Sequence, residues 1–169
     1  MDLPLRANQV NTMQPFDDDE LLYRRISPDE LNSKGEVDPS RIQVTSFTKE
    51  INSAPSANRS AFSNPEDVLS LPCAGKDVSS WTIFFIEVRS LPKGLLDGNG
   101  RAFDFFPHHA PLENCGAHSV IASCVAVNPT VYVRPTRPVI NDFKTKFAVS
   151  LTRIDQAFDI TTRAKSERG

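Results

Sequence analysis

A chain of 169 residues is long enough for one domain with a buried core. Its net charge of −2 argues against general nucleic-acid binding, which requires a broad basic face. Eleven phenylalanines against two tyrosines and one tryptophan point to an aromatic core and not to a base-stacking surface.

Residues 1–15 are polar and aperiodic, and are expected to be disordered. They precede a single domain over 16–160 and a flexible tail over 161–169. The opening residues lack a basic region followed by an apolar one, so no secretory signal is read there. The longest apolar run, around Ile83–Ile86, is far too short to cross a bilayer. Three cysteines cannot all pair internally and fit no disulfide framework, which places the chain in a reducing compartment, the cytoplasm.

From Asp17 to Ile26, acids lead and bases trail, the polarity of a helix; a short strand over Leu22–Ile26 is the alternative. Ser27-Pro28-Asp29-Glu30-Leu31 predicts a capped helical turn with proline at its start. Arg41–Phe47 alternates as a strand does. The Ser-, Asn-, Ala- and Pro-rich stretch 49–63 predicts a loop, with Asn58-Arg59-Ser60 as its charged cluster, and Asn64-Pro65 opens a short helix.

Trp81–Arg89 is the strongest strand signal, apolar on both faces and therefore expected to be covered on both. Asp97-Gly98-Asn99-Gly100 predicts a turn, after which Arg101–Phe106 returns antiparallel to the strand before it. Two strands, Ser119–Val127 and Thr130–Arg134, are expected around an Asn128-Pro129 turn. Phe143, Phe147, Leu151, Ile154 and Phe158 then recur at spacings of 4, 4, 3 and 4, which predicts one long amphipathic helix capped near Thr136 or Asn141. The fold expected is α+β: a small mixed or antiparallel sheet covered by a long C-terminal amphipathic helix.

The chemistry-bearing residues are concentrated. All three histidines and two of the three cysteines fall between His108 and Cys124. Imidazole and thiol are the side chains best suited to proton transfer, nucleophilic attack and metal binding near neutral pH. His108, His109, Cys115 and His118 are ligand types for zinc, but an adjacent His-His pair matches no zinc spacing, so no metal is assigned. Cys124 reads as a small buried residue. Cys115, at the start of an apolar run, would gain a lowered pKa from a helix N-terminus and act as a nucleophile. Arg25 and Arg59 sit beside hydroxyl and amide donors, the set that recognises phosphate and carboxylate. Asp17-Asp18-Asp19-Glu20 frames no pocket and suits the first turn of a helix.

Charge is uneven along the chain: residues 1–40 carry nine acids against four bases, and 134–169 eight bases against four acids. With no catalytic signature of diagnostic spacing, the leading expectation is a non-catalytic protein-binding or accessory subunit of a larger complex. It would have a protein partner, no cofactor, and no membrane or nucleic-acid target. The alternative is a small enzyme acting on a phosphate-bearing or nucleotide-like substrate. There His118 transfers the proton, His109 assists, Cys115 is the candidate nucleophile, and Arg25 with Arg59 clamps the anion. That alternative requires a concave site joining segments 24–25, 58–60 and 108–118.

Overall fold

The computed structural model describes residues 14–43, 47, 50–51, 54–70 and 77–155. An antiparallel sheet dominates it. Its eight strands are β1 (Leu21–Ile26), β2 (Ser56–Arg59), β3 (Thr82–Glu87), β4 (Leu95–Leu96), β5 (Ala102–His109), β6 (His118–Val125), β7 (Asn128–Tyr132) and β8 (Thr152–Arg153). They run in the order β4-β5-β6-β2-β1-β3-β8, and β7 joins β6. The helices are α1 (Pro65–Ser70) and α2 (Arg137–Ser150). The expected fold, a small sheet under a long helix, is therefore corrected to a large curled antiparallel sheet with one helix of 14 residues.

The curl encloses the main core, and the face lining it is called inner here. Leu22 and Ile26 of β1, Phe84 and Ile86 of β3, and Phe103 and Phe105 of β5 meet Val139, Phe143 and Phe147 of α2 there. Phe105 stacks on Phe143 at 4.2 Å between ring centres, and Phe47 meets both edge-on at 5.8 and 5.7 Å. Burying each such ring contributes about 2–3 kcal/mol, so this cluster is the main reason the helix stays docked. The outer face carries a smaller cluster: Tyr23, Ile83 and Val68, the last from α1. Strand β3 is thus covered on both sides, as its sequence predicts.

Several elements differ from expectation for local reasons. Strand β1 takes the place of the acid-led helix, because β2 and β3 hydrogen-bond to its two edges and long-range pairing overrides helical preference. The acids before it make a turn instead, closed by Glu20 N–H donating to Asp17 O at 3.1 Å. Strand β2 lies where a loop is predicted; Ser-Ala-Asn-Arg has little intrinsic strand preference and is held by β1 and β6. Of the predicted Arg41–Phe47 strand, Ile42 and Gln43 lie outside any strand, and residues 44–46 fall outside the described residues.

The β5 strand pairs with β4 and β6, not with β3, and the Asp97–Gly100 turn joins β4 to β5. Gly100 there has φ +79°, a conformation that suits glycine. The turn between β6 and β7 falls at Ala126-Val127, which leaves Asn128-Pro129 inside β7. Helix α2 starts after Thr136 with Pro138 in its first turn and stops at Ser150; Leu151 is already extended. Leu151 joins the inner core and Ile154 packs against the outer cluster, so the stripe runs past the end of α2 and divides between the two faces of the sheet. Phe158 lies outside the described residues, as do most residues of the expected N-terminal segment and all of the tail. Among the described residues no helix is long and apolar enough to cross a membrane.

Candidate functional site

A cleft of about 450 Å³ opens on the outer face, where β1, β2 and β6 lie side by side. Strand alternation decides which side chains enter it. Tyr23 is opposite Asn58, and Asn58 is opposite His118, so these three share the outer face. Arg25 and Ser56, each two residues along its strand, follow onto the same side, and all five line the cleft. Trp81, just before β3, forms another wall, and the Arg25 guanidinium carbon sits 5.9 Å from the centre of its ring.

The hairpin tip between β5 and β6 closes the remaining side. Leu112 and Cys115 exchange backbone hydrogen bonds of 2.9 Å in both directions, which turns the chain back within four residues. Cys115 is thereby placed in a tight turn and not at a helix N-terminus. Its thiol donates to Asn58 Oδ1 at 3.2 Å. Burial pushes the thiol pKa up, with backbone hydrogen bonds only partly opposing, so the group stays protonated at neutral pH. That works against its expected role as nucleophile.

His118, the first residue of β6, has both ring nitrogens engaged. Nδ1 lies 2.7 Å from Ala110 O, and Nε2 lies 3.2 Å from Ser56 Oγ. A carbonyl only accepts, so Nδ1 carries the proton, and Nε2 takes the hydroxyl hydrogen of Ser56. Burial lowers the imidazole pKa, and the Ala110 carbonyl opposes this only in part. The ring is therefore neutral at pH 7, oriented, and basic at Nε2. Arg24 backs the cleft: its Nη1 donates to Ser56 O at 2.8 Å and its Nη2 to Gln43 O at 2.6 Å. Glu113 contributes a carboxylate at the hairpin tip.

Two residues expected in the same site lie elsewhere. Arg59 is opposite Leu22, which puts it on the inner face, and its side chain is 0% exposed. Nε and Nη2 grip the two carboxylate oxygens of Glu20 at 2.8 and 2.9 Å. Nη1 and Nη2 also donate to the carbonyls of Gln14 and Pro15, both at 2.9 Å. Phe16 and Phe62 cover the guanidinium, their ring centres 3.8 and 4.9 Å from its carbon. Arg59 thus holds the fold together. His109 is opposite Ser119, itself opposite Ala57 of the inner core, so it too faces away from the cleft. Its ring packs edge-on against Phe62 at 5.8 Å, and burial followed by the Arg59 charge lowers its pKa.

The segments around Arg25, Asn58 and Cys115–His118 do converge, without Arg59 and His109. Sequence reasoning missed Ser56 and Trp81 as lining residues. Ser56 carries no local signal; only the pairing of β2 with β6 reveals it. His108 and His109 are the last two residues of strand β5. Among the described residues no three His, Cys, Asp or Glu side chains gather in a way that could hold a metal ion. No protein-family model, curated protein or solved structure matches the chain.

Proposed function

We propose that the chain is a small enzyme whose outer-face cleft binds a phosphate-bearing or nucleotide-like substrate, with His118 as general base. The observation that carries this reading is the wiring of His118: the Ala110 carbonyl fixes the tautomer and leaves a neutral, basic Nε2 facing the cleft. A general base needs that protonation state at working pH and a rigid orientation. Arg25 supplies the charge for an anionic group, and Trp81 beside it offers a flat face for a ring. The 450 Å³ volume suits a mononucleotide-sized ligand.

Isothermal calorimetry with nucleoside monophosphates and inorganic pyrophosphate, at low and physiological salt, tests it. Arg25→Ala abolishes binding, whereas His118→Ala leaves binding in place and removes turnover. Failure of every anion to bind the wild type sinks the proposal.

The second reading, a non-catalytic accessory subunit, is favoured by Val127, 93% exposed at the β6–β7 turn, with exposed Val131 following in the same hairpin. Apolar side chains on an exposed hairpin suit a protein partner. Light scattering on the complex recovered from the native host distinguishes the two: a stoichiometric heteromer lost in Val127→Glu supports the accessory reading.

A further inference from the structure

We infer that Ser56 is the nucleophile of this cleft, attacking the phosphorus of a phosphate ester, and this inference rests on the reading of His118 as base. Four observations converge on its hydroxyl. Ser56 Oγ is 3.2 Å from His118 Nε2, within the reach expected of a nucleophile and its base in an unliganded site. The base is oriented in turn by a third group, the Ala110 carbonyl on Nδ1 at 2.7 Å. The backbone that carries the serine is pinned from both sides, by Arg24 Nη1 on Ser56 O and by Ile121 N–H on Pro55 O, each at 2.8 Å. Ser56 itself is exposed at the start of β2, so a substrate reaches it without rearrangement of the sheet.

Electrostatics favour the same direction. The register that sets Leu22 opposite Arg59 and Tyr23 opposite Asn58 carries Arg25 towards Ser56 on the same face. A guanidinium there neutralises the charge that builds on the equatorial oxygens of a phosphoryl group under attack. The step balances as follows. The Oγ–P bond forms while the bond from phosphorus to the ester oxygen breaks, and its electron pair leaves with that oxygen. The serine proton passes to His118 Nε2 and from there to the departing alkoxide. Water then attacks the phosphoserine, its proton returning through His118 to Ser56, so the net reaction is ester plus water to alcohol plus phosphate.

A fluorophosphonate probe tests this on the full chain, because P–F cleavage needs only an activated serine and expels fluoride. Tryptic mapping by mass spectrometry is expected to find the adduct on Ser56 and none on the remaining serines. Ser56→Ala abolishes it. His118→Gln, with His118→Ala as a second variant and circular dichroism as a fold check, slows labelling about 100-fold. The labelling rate also falls as pH drops and Nε2 protonates, which a merely structural serine would not show. Labelling of Ser56 no faster than that of other surface serines, or unchanged in both folded His118 variants, overturns the inference. If Ser56→Ala still binds inorganic phosphate as the wild type does while Ser56 resists the probe, only the nucleophile assignment falls. If the wild type binds no anion, the reading of the cleft falls with it.

Discussion

Asn58 and Arg59 are neighbours in sequence, yet they belong to two different chemical settings. The inner-face setting holds an arginine, a histidine, a carboxylate and two aromatic rings, with Arg59 saturated by Glu20 and backbone carbonyls. The outer-face setting holds the same residue types, but its arginine and histidine line an open cleft beside a hydroxyl and a thiol. Residue type alone therefore does not mark a site. What differs is whether the side chains are enclosed by the fold or border a space that a ligand can fill.

Substitutions on the two faces should separate stability from binding. The largest effect is expected for Arg59→Ala, which strands the Glu20 carboxylate in the interior and costs about 3–5 kcal/mol in urea unfolding. A loss under 1 kcal/mol would mean that the inner network is not structural. Asn58→Leu removes the acceptor of the Cys115 thiol and should cost about 1–3 kcal/mol, loosening the hairpin tip and weakening ligand binding as well. It is the one variant expected to register on both readouts.

His109→Leu should change stability by less than about 1.5 kcal/mol at pH 7, because neither ring nitrogen has a hydrogen-bond partner among the described residues. Its effect should turn favourable in acid, and the sign follows from the lowered pKa. Above about 6.5, folded and unfolded chains both keep the imidazole neutral. Below that value the unfolded chain takes up a proton that the folded chain resists, so stability falls until pH passes the folded-state value. The same argument applies to His118. Thermal melts from pH 7.5 to 5 should show the decline in the wild type and a shallower one in His109→Leu. The smallest stability effect belongs to Arg25→Ala, within about 1 kcal/mol, the range of its contact with the Trp81 ring, although ligand binding is lost. A large drop in melting temperature there would erase the distinction between the faces.

Local signals were legible in the sequence and pairings were not. The capped turn at Pro28–Glu30 was readable because Glu30 reaches back to the Ser27 N–H at 2.9 Å, a contact between residues three apart. The starts of α1 and β3 and the Asp97–Gly100 turn were readable for the same reason. Strand β2 was not, since nothing within four polar or small residues specifies its partners. The end of α2 was missed because Leu151 and Ile154 continue the helical spacing, and only their packing into different clusters shows that the helix has already stopped at Ser150. In the cleft, His118, Cys115 and Arg25 stood out by residue type. The separation of Arg59 from Arg25 depends on register alone, and a shift of one residue would exchange the faces.

That dependence gives the buried Arg59–Glu20 pair a second consequence. A four-residue strand with small and polar side chains has little of its own to resist sliding against β1 and β6, and a slip by one position would drive a guanidinium into the cleft and an amide into the apolar interior. The ion pair, with its two-pronged grip, accepts only one alignment. It works as an indexing pin for the middle of the sheet, so the geometry between Ser56 and His118 is set by a contact on the side of the sheet opposite the cleft.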